Sequence, residues 1–199
     1  QSFTVEGDWS QAAFFMAAGA LGGNTAVGGL RPDSVQGDRA CLELFKAFGA
    51  QVSFKNGTAF TSGSALHGID IDASQIPDLV PILAVTAALA QGKSRIYGAE
   101  RLRIKESDRL SAIANALNAA GGRVTVTADG LLIEGVKSLN SCKVEGCNDH
   151  RIVMAMSVAA IKADGFIEIT DAMSINKSYP RFFEDFKQLG GTADVINLG

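Results

Sequence analysis

The chain has 199 residues, 47% hydrophobic and 20% charged, with a formal net charge of −3 and two histidines. That is enough chain for one large domain or two small ones, with no overall basic field for nucleic acid or an anionic membrane. Three cysteines, Cys41, Cys142 and Cys147, lack Cys-x-x-Cys spacing, and no apolar run reaches bilayer length. A disulfide framework, a zinc site and a membrane span are therefore not expected, and a cytoplasmic setting is.

Taken in order, the elements repeat. Phe3 to Asp8 reads as a strand and turn, not a signal peptide, and Ala12 to Leu21 as an apolar helix. Gly23 to Val27 is a strand, Asp38 to Phe48 a helix, and Gln51 to Phe54 with Ala59-Phe60 a pair of short strands around the turn Asn56-Gly57. The series begins again with a strand at Gly68 to Asp72, a helix at Leu79 to Leu89, and a strand at Gly92 to Ile96. A helix follows Lys105, and Val124 to Thr127 and Leu131 to Ile133 flank the turn Asp129-Gly130. A third round has a strand at Cys142 to Gly146, a helix at Ile152 to Ile161, a strand at Gly165 to Ile169, a helix at Tyr179 to Leu189 and a strand at Gly191 to Val195. The period is roughly 70 residues, longer than a solenoid repeat. Gly22-Gly23, Gly121-Gly122 and Gly190-Gly191 read as helix C-caps. The expectation is an α/β (α+β) fold, one domain over 1–199 of three packed β-α-β-α-β-β repeats, about 1–66, 67–138 and 139–199. The Ala-rich first helix of each repeat is apolar all round, so it belongs inside; the second helices are amphipathic and belong outside.

Charge gathers at helix entrances. Leu102 to Arg109 carries Arg103, Lys105, Glu106, Asp108 and Arg109 just before the run Leu110, Ile113, Ala114 and Leu117. Ser107 or Glu106 can serve that entrance as cap or first-turn acid. A helix N-terminus between Lys105 and Arg109 is a natural place for an anion. Fourteen residues before Gly23, Gly92 and Gly165 lie Trp9, Asp78 and Arg151, each at or near the start of an apolar helix. Asp78, Lys105, Glu106, Arg109, Asp149, His150, Arg151 and Lys177 are thus expected at one end of the domain. Arg109 and Arg151 suit a carboxylate or phosphate, and Lys105 and Lys177 add point charges. Asp78 reads either as a cap or as a general base, and His150 as a packed core residue. No glycine-rich nucleotide loop or serine-hydrolase elbow is present.

Ile104-Lys-Glu-Ser-Asp-Arg109, Asn148-Asp-His-Arg-Ile152 and Lys177-Ser-Tyr-Pro180, with Val35-Gln-Gly-Asp38 and Ile76-Pro-Asp78, resemble the 5-enolpyruvylshikimate-3-phosphate synthase family, over nearly the whole chain but only its C-terminal half. The resemblance implies an enolpyruvyl transferase-like fold of two similar domains with the active site between them. It implies transfer of the enolpyruvyl group of phosphoenolpyruvate to the 5-hydroxyl of shikimate 3-phosphate, with release of phosphate, in a reaction that is the target of glyphosate. By position, Asp78 resembles the base near the hydroxyl, Lys105 the lysine that shares its proton, and Glu106 the acid/base at the methylene carbon. Arg109, Arg151 and Lys177 resemble the phosphoenolpyruvate ligands. No metal and no cofactor are implied; the implied partners are the two substrates and the N-terminal half of the same enzyme. Some members have Asn where this chain has Arg101. The chain begins at Gln1 without an initiator Met and is read as a processed or excised piece, inactive without the other half. Two alternatives stand beside this reading: half of the related transferase acting on UDP-N-acetylglucosamine, and a non-catalytic binding module of the same repeat. A pI near 5.4 disfavours RNA as the partner of such a module.

Overall fold

Three helices without a polar face form the centre of the molecule, and the sheets lie around them. The computed structural model describes residues 5–196. The Asp8 carboxylate accepts the Ser10 and Gln11 amides at 2.8 and 3.2 Å and so starts α1 (Trp9–Gly22). After α1 come β1 (Asn24–Val27), a 3-10 turn (Gly37–Ala40) and α2 (Cys41–Ala47). β2 (Gln51–Lys55) and β3 (Thr58–Ser62) then form a hairpin. Asn56 and Gly57 both have positive φ, 51° and 74°, which gives the turn the twist a two-residue hairpin needs. The first sheet has the order β1-β3-β2 and is antiparallel throughout.

The next stretch runs β4 (Asp70–Asp72), a 3-10 turn (Pro77–Leu79), α3 (Val80–Ala88) and β5 (Lys93–Tyr97). A 3-10 turn (Glu100–Ile104), α4 (Arg109–Ala119), β6 (Arg123–Val126) and β7 (Leu131–Glu134) follow. These strands make a sheet ordered β4-β5-β7-β6, with β4 and β5 parallel across the α3 crossover and the rest antiparallel. The last stretch is β8 (Leu139–Val144), α5 (His150–Ala159), β9 (Ala163–Ile169), a 3-10 turn (Ala172–Lys177) and α6 (Phe182–Gln188). β8 and β9 pair in parallel as a two-stranded sheet.

Every residue of α3 and of α5 is buried, and α1, α3 and α5 pack on one another. Such helices can hold polar side chains only if these turn back on their own backbone. The Thr86 hydroxyl donates to the Ile82 carbonyl at 2.9 Å, and the Ser157 hydroxyl to the Val153 carbonyl at 2.8 Å. α4 lies between the last two sheets, touching α3, α5, β6 and β8. α6 is fastened to α1 through aromatic rings: fully buried Phe182 meets Phe14, Phe15, Tyr179, Phe183 and Phe186 at centroid distances of 5.4 to 6.4 Å.

Several details differ from the sequence reading. Residues 5–8 form no strand, and Phe3 and Thr4 lie outside the described residues. Residues 191–195 form no strand either; no described strand stands beside them, and an unpaired strand has nothing to complete its backbone hydrogen bonds. The helix expected from Tyr179 starts at Phe182. Gly121 and Gly190 close their helices in the left-handed region, φ 85° and 95°, whereas Gly23 is extended at φ −135°. Replacing fully buried Leu83 by Ala is expected to cost about 2–5 kcal/mol in denaturant unfolding. The same change at half-exposed Leu132 should stay within about 0.5 kcal/mol.

Candidate active site

The starts of α1, α3, α4 and α5 meet at one end of the domain, and the charged residues of the sequence reading are found there. At the centre is Arg109, the first residue of α4, with only 1% of its side chain exposed. Its Nε donates to Asp149 at 2.8 Å, one terminal nitrogen to Asp78 at 2.9 Å, and the other to Glu106 at 2.5 Å and Asp149 at 3.4 Å. Asp78 comes from the turn before α3, Glu106 from the loop before α4, and Asp149 from the cap of α5. One guanidinium thus joins three separate segments.

Arg151, 8% exposed, lies in the first turn of α5. It donates to the Asp78 carbonyl and the Ser10 hydroxyl, both at 3.1 Å, and stands 3.3 Å from the Asp78 carboxylate. Lys105 approaches Asp78 at 3.7 Å. Of the two readings of Asp78, cap and general base, the cap is not what the structure shows. Its side chain makes no cap bond to α3 and instead faces Lys105, Arg109 and Arg151. Nor does Ser107 or Glu106 cap α4: Asp108 does, accepting the Ser111 amide at 3.2 Å. The Ser107 hydroxyl turns across to Asp149 at 3.0 Å. The neighbouring motif confuses the reading because three consecutive residues, Glu106 to Asp108, all suit a helix start, and only the backbone path decides which is at the cap.

Lys177, at the end of its 3-10 turn, donates to the Asn148 carbonyl at 2.5 Å, one residue before Asp149. It therefore sits at the rim of the same cluster. The Gln11 amide bonds the Ser178 hydroxyl at 2.6 Å and ties that rim to α1. Arg101 is exposed in the turn Glu100–Ile104.

Two residues matter more than the sequence suggested. Asp149 is fully buried. Burial pushes its carboxyl up, but the hydrogen bonds and charge of Arg109 outweigh that and hold it below the usual carboxylate range. Its other oxygen accepts the Arg151 amide at 2.9 Å, so it caps α5 and anchors Arg109 at once. Asp38, in the turn before α2, goes the other way. Burial and the nearby Asp78 charge push it up to about 6, against the pull of Arg151 and Lys105. Its motif, Val35-Gln-Gly-Asp38, was visible in the sequence, but nothing in it shows that α1 and α3 bring this carboxyl beside Asp78. His150 is buried, its Nδ1 has no hydrogen-bond partner, and burial with Arg151 lowers its pKa, so it is neutral near pH 7. Among the described residues, no three His, Cys, Asp or Glu side chains come together to hold a metal ion, and no helix is long and apolar enough to cross a membrane.

Residues 1–186 match the family model described as EPSP synthase (3-phosphoshikimate 1-carboxyvinyltransferase). A 3-phosphoshikimate 1-carboxyvinyltransferase of Clostridium acetobutylicum is 48% identical over 197 residues, and one of Clostridium novyi 46% over 199. The match covers 99% and 100% of this chain but 46% of each relative, so the chain spans about half the length of the curated relatives it matches. A solved EPSP synthase from Acinetobacter baumannii superposes with a TM-score of 0.86 at 31% identity, over 97% of this chain and 48% of that one. The enolpyruvyl transferase NikO from Streptomyces tendae shares the fold, with a TM-score of 0.74 at 20% identity over 96% and 44% of the two chains. The fold is that of an enolpyruvyl transferase half. The chain belongs to the EPSP synthase family.

A carboxyl held near 6 when folded and 3.8 by default favours the fold fully below pH 4, and that advantage is lost as pH rises through 6. Asp38→Asn should therefore melt about 3 °C above the parent at pH 7. The gap should close toward pH 4, as followed by thermal unfolding across that range.

Proposed function

We propose that this chain is one domain of three similar units and supplies half of an active site that moves the enolpyruvyl group of phosphoenolpyruvate onto the 5-hydroxyl of shikimate 3-phosphate. The other half comes from the remaining length of the family's chain. The observation that carries the reading is the Arg109 hub, a buried guanidinium with Asp78 and Glu106 on its open side and Lys105, Arg151 and Lys177 around it.

Each part has work suited to its position. Asp78, held by Lys105 and Arg151, takes the hydroxyl proton with the help of Lys105 as the oxygen bonds to the central carbon of phosphoenolpyruvate. Glu106 gives a proton to the methylene carbon in that step and takes one back from the resulting methyl group as the bond between the central carbon and the phosphate oxygen breaks and phosphate leaves. Arg109, Arg151 and Lys177 hold the carboxylate and phosphate and stabilise the charge of the tetrahedral intermediate. Lys105, Arg109 and Arg151 here pair with Asp78, Glu106 and Asp149, so an incoming anion has to displace protein carboxylates. Asp78 and Glu106 are 32% and 38% exposed and can yield; Asp149, at 0%, stays as the anchor. The reaction on this reading uses no metal and no cofactor, and its natural setting is the cytoplasm.

Phosphate release from phosphoenolpyruvate and shikimate 3-phosphate tests this. The chain alone should show no turnover, and co-expression with the missing half should restore it. In the restored protein, Glu106→Gln should lower kcat by about 10²–10⁴-fold. Full turnover by the lone chain would refute the half-site. Turnover of UDP-N-acetylglucosamine in place of shikimate 3-phosphate would move the assignment to the sister reaction.

A further inference from the structure

Four non-glycine residues among those described have positive φ, and three of them lie together: Cys147 (53°), Asn148 (49°) and Asp171 (53°). The fourth, Asn56, serves a hairpin. Two left-handed residues in succession immediately before the cap of α5 are unfavourable unless something outside the loop holds them. The structure shows what does. The Asn148 amide donates to the Asp171 carboxylate at 3.0 Å, and the Gly146 amide to the Thr170 hydroxyl at 3.2 Å. The Asp171 carbonyl accepts the Ser174 amide at 2.8 Å and opens the 3-10 turn Ala172–Lys177. Lys177, at the far end of that turn, donates its ammonium to the Asn148 carbonyl. One short turn therefore grips Asn148 from both sides, the N–H through its first carboxylate and the C=O through its last lysine. The next residue is Asp149, whose carboxylate fixes Arg109.

We propose that Asp171 is a positioning residue for the site. By holding Asn148 left-handed, it turns the Asn148 carbonyl toward Lys177 and sets where that ammonium stands at the rim. This rests on the reading that Lys177 contacts phosphoenolpyruvate. Asp171 has no contact with the hub itself and acts only through Asn148. A carboxylate placed merely to stabilise the loop would affect melting alone; a positioning residue also affects the lysine.

The test uses the full-length protein, this chain with its other half. Two readouts separate the proposal from the function it rests on: the ¹⁵N ammonium resonance of Lys177, assigned by its loss in Lys177→Ala, and the split between KM for phosphoenolpyruvate and kcat. Asp171→Ala should abolish the slowly exchanging Lys177 resonance and raise KM about tenfold, as for loss of one charge-assisted contact, with little change in kcat. Asp171→Asn keeps an acceptor oxygen and should retain both signals. Adding Asn148→Gly to Asp171→Ala lets residue 148 adopt positive φ without strain. The double variant should regain Tm but neither the resonance nor the KM. An unchanged Lys177 resonance in Asp171→Ala overturns the proposal, and so does KM recovering in step with Tm. If the full-length protein fails to turn over phosphoenolpyruvate, the functional reading fails, and the Lys177 resonance still decides the role of Asp171.

Discussion

The fold is organised around one buried charge that cannot be left alone. Arg109 has almost no access to water, and an unpaired guanidinium there would be lost at a cost of several kcal/mol. Its compensation comes from Asp78, Glu106 and Asp149, which belong to three segments separated by up to 71 positions in the chain. The charge is satisfied only when α3, α4 and α5 have all docked. The arrangement also explains why arginine stands here. The three carboxylates lie around one plane and use Nε and both terminal nitrogens, a pattern the single ammonium of lysine cannot reproduce.

The hub sits where it does because of the apolar helices. α1, α3 and α5 have no polar stripe; α3 and α5 are buried along their whole length and α1 along most of it, so they must pack against one another. Their starts point to the same end of the domain, where unbonded helix amides and positive dipole ends favour negative groups. Asp8 and Asp149 meet two of these starts as caps. Asp78 does not, and it collects cations from elsewhere instead. Its carboxylate is the one point where Lys105, Arg109 and Arg151 come together, so this acid, readable from the sequence as a cap or as a base, meets three cations at once.

The carboxylates divide by exposure into anchors and exchangeable partners, and two of them, Asp149 and Asp38, are pushed in opposite directions by their surroundings. Asp149 is sunk and firmly ionised by Arg109; Asp38 shares the neighbourhood of Asp78 and is pushed toward protonation. The left-handed loop at Cys147 and Asn148 shows the same economy. Backbone that would not hold its shape in isolation is kept in place by the turn that carries Lys177.

Amphipathic and apolar periods, glycine stops and the Asn56-Gly57 turn are local properties, so most helices and strands could be read from the chain, along with the fact that charge gathers at helix entrances. Local rules also misled. Asp108 is the cap where Ser107 or Glu106 looked equally suited, and Gly191 to Val195 has strand-like residues but no described strand beside it. Sequence by itself determined which segments had to be buried and which side chains could meet an anion, because hydrophobic period and residue chemistry are carried by neighbours along the chain. Only the tertiary structure decided that Arg109 takes three carboxylates, that Asp78 bridges instead of capping, and that the Asp38 carboxyl is pushed up to about 6. Those outcomes depend on distance and on exclusion of water, and neither exists until the three central helices have packed.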